Sequence, residues 1–445
     1  MGDNSEKTTK LDIPPTDETV GLATRPAGFH PAGNVRYGGF RQYVRVCTCG
    51  IWFLTCVLVI IATQFVGAPL YFVNRQLYYA WMARTKMHFG VVATTVTQWW
   101  SPTVIRVTGD RSVRHQIKRG ADGELQCQFP ERLVLIANHQ LYSDWLYLWW
   151  IAYTARMHGF IYIILKESLK YLPLIGLGMQ FYGFVFMARK WEQDKSRIQH
   201  RLSKLSSSRD DPMWLLIFPE GTNASINGRT TSAKFAAKLG IPDLKHQLLP
   251  RSTGLRFCLE QMNETVDWVY DCTVAYEGVP RDGFGQDYFT LYATYFEGRP
   301  PKSVNMYWRR FAVKDIPVTD PAAFEIWLRE RWIEKDNLID FYMENGRFPE
   351  DEDTTEETKN LNGASGLRQR IIGGQERTIN TTGGTNADGK WDGPVETEVK
   401  IGRWGDVLDI FTVAMWVSPV VYSQALFSLF MRWLLWLGKI LGILR

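Results

Sequence analysis

The stretch Leu133-Val134-Leu135-Ile136-Ala137-Asn138-His139-Gln140-Leu141-Tyr142-Ser143-Asp144-Trp145 decides how this chain is read. An apolar run of strand length passes straight into Asn138-His139. An aromatic, apolar helix, Trp145–Met157, opens where Ser143 and Asp144 can cap it. On one continuous helix, residues five apart point about 140° away from each other, so His139 and Asp144 would not meet. They meet only when His139 stays in the loop and Asp144 takes the first turn of the helix. A carboxylate bonded to one imidazole nitrogen fixes the tautomer and raises the basicity of the other, which readies a histidine to take a proton from a hydroxyl. The same residues equally fit a loop histidine that merely rests on a capping aspartate.

Working outward, Met213–Phe218 is another apolar run of strand length, ending abruptly in Pro219-Glu220-Gly221-Thr222. In an open α/β sheet that is where ligands bind, although Pro, Gly and Thr also make plain turns. Further strands are expected at Thr103–Thr108, Ile161–Leu165, Gly183–Met187 and Val266–Tyr276, with helices at Lys195–Ser206, Ser232–Leu239 and Phe324–Asn345. Strands alternating with helices predict an α/β fold with a mixed sheet flanked by helices on both faces. Lys166 and Arg189 each follow an apolar strand, Lys170 comes four residues after Lys166, and Arg251 lies in Leu249-Pro250-Arg251-Ser252-Thr253-Gly254. Placed so, they converge on the edge that carries His139, as a phosphate-bearing substrate requires. Each taken singly also fits a solvated surface charge.

The ends of the chain read differently from its middle. Residues 1–45 form a polar tail. Val46–Val73 carries no charge, and at about 1.5 Å per residue it exceeds the roughly 30 Å of a bilayer's hydrocarbon. The segment to residue 100 is interrupted by Arg84 and Lys86 but holds Tyr78, Tyr79, Trp81, Trp99 and Trp100, the pattern of an interfacial helix. Arg75, Arg84 and Lys86 are expected to reach lipid phosphates. The organisation is therefore a tail (1–45), a membrane-embedded helical region (46–100), a globular domain (101–350), a disordered linker (351–405) and C-terminal membrane-associated helices (406–445) that form a second anchor. An aromatic share of 14%, with 18 Trp, suits contact with an interface. A mean hydropathy of -0.19 excludes a polytopic transporter. The net charge of +5 is too mild for a nucleic-acid binder but compatible with anionic lipid. Six cysteines in 445 residues make no disulfide framework, and Cys47-Thr48-Cys49 has no histidine nearby to complete a metal site.

The blocks NHQLYSDW, LKESLKYLPLIG, GFVFMARKW, FPEGT and LLPRSTGL, in this order, resemble the 1-acylglycerol-3-phosphate O-acyltransferase family, whose signature is NHxxxxD followed by an EGT block. VYDCTVAY, PPKSVNMYWRRF and FEIWLRERWIEKDNLIDFYMENGRFP look like its eukaryotic lysocardiolipin and lysophosphatidylinositol acyltransferase branch. The likeness spans roughly 100–350. It implies a membrane enzyme of the endoplasmic reticulum that moves an acyl group from acyl-CoA to the free hydroxyl of a lysophospholipid. No permanently bound cofactor or metal is implied; acyl-CoA is a co-substrate. By carry-over, His139 and Asp144 are the catalytic pair, and Arg189, Glu220, Gly221 and Thr222 handle the glycerol-phosphate end of the acceptor. Asn138, Lys166 and Arg251 complete the expected substrate-binding set. Where the family commonly continues EGT with Arg or Ser, this chain has Asn223-Ala224-Ser225, which fits the lysocardiolipin-like branch. The competing expectation is a lipid-binding membrane scaffold whose His/Asp pair is idle.

Overall fold

Alternate residues of the two most apolar runs face opposite ways, and this builds the molecule in three layers. The computed structural model describes residues 29–120, 123–188, 191–350, 383–386, 389–417 and 431. Its strands are β1 (Val104–Gly109), β2 (Ile117–Arg119), β3 (Leu125–Cys127), β4 (Arg132–Ala137), β5 (Ile161–Lys166), β6 (Val185–Met187), β7 (Met213–Ile217), β8 (Trp268–Tyr276), β9 (Ser303–Ala312) and β10 (Val395–Glu398). Eight of them form one sheet in the order β10-β1-β9-β8-β4-β7-β5-β6, with β2 and β3 paired apart. From β8 to β6 every pairing is parallel. β9 turns antiparallel to β8, β1 runs beside β9, and β10 closes that edge antiparallel to β1.

Every residue of β4 and β7 is buried, as expected of central parallel strands covered on both faces. Leu133, Leu135, Trp214 and Leu216 enter one core with Trp149 and Trp150. Val134, Ile136, Leu215 and Ile217 enter the other with Trp332. The first face is covered by α1 (Gly39–Gly67), α2 (Arg75–Trp100) and α3 (Asp144–Thr154), next to the short α4 (Ile175–Phe181). The second is covered by α5 (Trp191–Leu205), α6 (Ile226–Leu239), α7 (Ser252–Met262) and α8 (Pro321–Asn345). The α8 boundaries follow from local chemistry. Asp320 accepts from Ala322 N at 2.9 Å and Ala323 N at 3.2 Å, Pro321 occupies the first turn, and Gly346 ends the helix at φ +70°.

Gly39–Val73 is the one stretch among the described residues long and apolar enough to cross a membrane, and only 33% of its most apolar window is buried. It is docked along its length. Arg45 Nε donates to Tyr295 O at 3.2 Å, Trp52 Nε1 to Thr95 Oγ1 at 3.3 Å, and Gln64 Nε2 to Gly178 O at 3.4 Å. Lys86 departs from its expected place among lipid phosphates: it turns inward, fully buried, with Nζ 3.6 Å from the Tyr162 ring centroid. The stretch 351–405 is also not structureless throughout. Val395–Glu398 pairs with β1, and Arg106 Nε meets Glu396 Oε2 at 3.0 Å. Of the expected C-terminal anchor, residues 418–430 and 432–445 lie outside the described residues.

Candidate active site

The parallel strands β4, β7 and β5 deliver their C-terminal ends to one edge, and the polar residues that follow them meet there. β4 ends at Ala137, paired with Cys272 of β8. Asn138 then continues the ladder with its side chain: Nδ2 donates to Val274 O at 2.9 Å, and Oδ1 accepts from Val274 N at 2.8 Å. With its carboxamide spent on the β8 backbone and its side chain buried, Asn138 sits behind the edge. There it fastens the strand end.

His139 follows in the loop, and Asp144 occupies the first turn of α3, the placement that the five-residue spacing requires. His139 Nδ1 lies 2.8 Å from Asp144 Oδ2. The same oxygen accepts from Gln140 N at 2.7 Å and Leu141 N at 2.9 Å, while Oδ1 accepts from the Tyr276 hydroxyl at the end of β8. Asp144 is therefore a buried carboxylate with a donor on each oxygen, and three N–H groups hold one of them in place. The His139 ring stacks on Phe218, centroids 4.2 Å apart and planes 22° apart. Its side chain keeps 19% of its surface, and Nε2 has no hydrogen-bond partner among the described residues. The pair can hold a proton-accepting nitrogen toward a substrate in one tautomer and one orientation.

The Phe218–Ser225 block clamps the histidine from the other side. Glu220 Oε1 accepts from His139 N at 3.2 Å and from the Trp332 indole at 3.3 Å, and Oε2 accepts from Leu248 N at 3.4 Å. Ala224 N donates to His139 O at 2.7 Å. Both polar groups of the His139 peptide are thus fixed by this block. Burial pushes the Glu220 carboxyl up to about 8, against the pull of its three donors and of Lys335. A carboxyl so enclosed holds the His139 backbone in position. Gly221 turns the chain at φ +74°, with open space where a Cβ would stand. Thr222 beside it is half-exposed.

The basic residues are only partly gathered. Lys166 ends β5 and is exposed on this edge. Arg251 donates its backbone N–H to Pro219 O at 2.8 Å and lays its guanidinium 3.7 Å from the Phe235 ring centroid. Arg189 lies outside the described residues. Tyr276, Phe218 and Trp332 were not foreseen as site residues. Tyr276 had a signal, since it closes an apolar strand that runs parallel to β4. Trp332 had none, because nothing local tells which core a helix's tryptophan enters. Its helix is anchored by buried charges: Lys335 Nζ lies 2.5 Å from Asp271 Oδ1 and 2.6 Å from Cys272 O, and Arg309 Nε lies 2.8 Å from Asp271 Oδ2.

The sequence family described as acyltransferase matches residues 104–277, and the one described as acyltransferase C-terminus matches 294–364. An uncharacterized acyltransferase of Schizosaccharomyces pombe is 40% identical over 301 residues, which cover 67% of this chain and 85% of that protein. The 2-acyl-1-lysophosphatidylinositol acyltransferase of Saccharomyces cerevisiae is 34% identical over 342 residues, 68% of this chain and 85% of its own. The human 1-acyl-sn-glycerol-3-phosphate acyltransferase gamma is 30% identical over 308 residues, covering 69% and 76%. Since two of these relatives are matched over 85% of their length at 34–40% identity, the chain is an acyltransferase and belongs to the 1-acylglycerol-3-phosphate O-acyltransferase family.

Proposed function

We propose that this protein transfers an acyl group from acyl-CoA to the free hydroxyl of a lysophospholipid at a membrane surface, with lysophosphatidylinositol the leading acceptor. The observation that carries this reading is His139 at a strand end, its Nδ1 held by buried Asp144 and its Nε2 turned outward. Nε2 takes the proton of the acceptor hydroxyl as its oxygen attacks the thioester carbonyl. The resulting imidazolium is stabilised by Asp144. Collapse of the tetrahedral intermediate breaks the C–S bond, and the proton passes to the departing sulfur, giving free CoA and the ester. Lys166 and Arg251 are the cations for phosphate on this edge, Arg189, outside the described residues, is proposed to join them, and Thr222 offers a hydroxyl. Lysophosphatidylinositol is favoured over lysocardiolipin and lysophosphatidic acid by the 85% coverage of the yeast lysophosphatidylinositol enzyme.

Membrane placement is supported by α1. Its outward side exposes Phe40, Ile51, Leu54, Leu58 and Phe65, while its other side touches the globular domain from Arg45 to Gln64. That contact runs for roughly 30 Å of helix. A helix standing across the bilayer would drag the flank of the domain into hydrocarbon, so α1 fits best lying along one face of the membrane. There the acceptor keeps its chain in lipid and lifts only its head group, avoiding about 0.8 kcal/mol per exposed CH₂. An activity matrix of lysophospholipids against acyl-CoAs, run on endoplasmic-reticulum membranes containing the full chain, tests the reading. Acyl transfer with lysophosphatidylinositol as the best acceptor is expected. Absence of ester formation with every lysophospholipid would overturn it, and strong binding without turnover would favour a lipid-binding scaffold.

A further inference from the structure

The segment that joins β5 to α4 carries more exposed apolar surface than a soluble loop needs. Between Lys166 and Phe181, Tyr171 is 72% exposed, Leu172 43%, Leu174 40% and Leu177 39%. The loop is built to hold them there. Glu167 is tied to Arg197 of α5 at 2.7 Å. Gly176 lets the chain pack so closely that a Cβ would stand 2.3 Å from Lys170 O. Leu174 adopts φ +62° in a tight turn closed by Ile175 N to Pro173 O at 2.7 Å. That backbone is strained for a leucine, and such strain persists only where the surroundings enforce it.

Two placements say what this surface meets. It continues the outward side of α1: Phe65 packs on Phe181 with centroids 5.5 Å apart, Gln64 reaches Gly178, and only a small cavity of about 20 Å³, lined by Val57, Ile61, Ile175 and Met179, is left between the helices. It also springs from the catalytic edge. β5 stands two strands from β4, so its end lies roughly 10 Å from the end that presents His139. Lys166 and Lys170 lead into the apolar residues, and Lys170 Nζ is 5.6 Å from the Tyr171 ring centroid. Apolar side chains at a tip with lysines on its shoulder suit the hydrocarbon–phosphate boundary of a lipid leaflet.

We propose that residues 170–177 are a second bilayer contact, belonging to the catalytic domain itself, which dips beside the active edge and holds His139 at head-group depth. The proposal rests on the membrane reading of α1, and its tests separate the two. The first test compares wild type with Leu172→Glu/Leu177→Glu, both at exposed positions. Acyl transfer to long-chain lysophosphatidylinositol embedded in vesicles should fall on the order of tenfold. Transfer to a short-chain, water-dissolved lysophosphatidylinositol should stay within about twofold. An unchanged rate on vesicles, or an equal loss on both acceptors, overturns the proposal.

The second test needs no turnover. Full-length chain with Cys47→Ser is labelled with bimane at Leu172→Cys, or at Ser207→Cys near the opposite edge of the sheet, and bound to vesicles holding lipids with a nitroxide on the acyl chain. Strong quenching at position 172 and little at 207 is expected. Equal quenching at both, or none at 172 while α1 keeps the protein on the vesicles, overturns it; so does a second copy of the chain covering the patch, which would leave 172 unquenched.

Discussion

Asp144→Asn isolates the charge of the site from its geometry. Three N–H groups point at Oδ2, so the asparagine must place its amide oxygen there and its NH₂ at the Oδ1 position. Among the described residues the partner at Oδ1 is the Tyr276 hydroxyl, which can rotate and accept where it had donated. The His139 tautomer and position then survive, and what is lost is the negative charge facing the developing imidazolium. At about 4 Å between charge centres and an effective permittivity of about 20, that attraction is worth about 4 kcal/mol. Charge is only partly developed in the transition state and the amide dipole retains some of the attraction, so kcat should fall on the order of 10²- to 10³-fold. Both KM values should stay within about twofold. The assay is steady-state CoA release from protein in lipid vesicles, with thermal unfolding as the control for folding. A near-wild-type kcat would refute the assignment of His139 as a base aided by Asp144, and a loss confined to KM would refute the argument that the charge acts on the transition state.

Glu220 gives a second separation. Glu220→Gln should keep most activity and leave the acceptor KM unchanged, whereas Glu220→Ala strands the N–H groups of His139, Leu248 and Trp332 and should cost a few kcal/mol of stability and most of kcat; a specific rise in acceptor KM for the glutamine variant would return Glu220 to the substrate. The held-up carboxyl also has a pH signature. It is protonated in the folded chain up to about 8 but ionised above about 4.5 when unfolded, so its stabilisation is complete below that lower value and fades as pH rises through 8. The difference in melting temperature between wild type and Glu220→Gln should drift against wild type across that window, and a constant difference would contradict the burial argument. Lys335→Met leaves Asp271 facing Arg309 alone in the core and should cost about 3–5 kcal/mol in denaturant unfolding; a neutral result would mean that Arg309 suffices. Arg189→Lys should raise the KM for lysophospholipid much more than that for acyl-CoA, because an arginine fork can hold two phosphate oxygens that lysine cannot; an equal rise for both would count against a head-group role.

Much of the scaffold was legible because its physics is local. Leu133–Ala137 and Met213–Phe218 read as buried strands from apolar runs alone, and the five-residue gap between His139 and Asp144 already required a loop followed by a helix start. Long-range partners decided the rest. β9 carries Arg309 and Arg310 within its strand, and Arg309 is tolerable in the interior only because Asp271, distant in sequence, lies against it. β10 reads Val-Glu-Thr-Glu inside a polar stretch and is a strand only because β1 offers it a free edge. Asn138 precedes the signature histidine in NHQLYSDW, and Glu220 entered the expected binding set through the FPEGT block of the family resemblance. In space, Asn138 is absorbed by the β8 ladder and Glu220 by the core under Trp332.

The central claim is that His139 drives ester formation between an acyl-CoA and a lysophospholipid. It is tested most directly by supplying purified full-length wild-type and His139→Ala protein, in lipid vesicles, with labelled acyl-CoA and lysophosphatidylinositol and quantifying labelled diacyl product. Wild type should form it with stoichiometric release of CoA, and the variant, equally folded and equally membrane-bound, should be slower by at least about 10²- to 10⁴-fold. Comparable product formation by the two proteins would contradict the account.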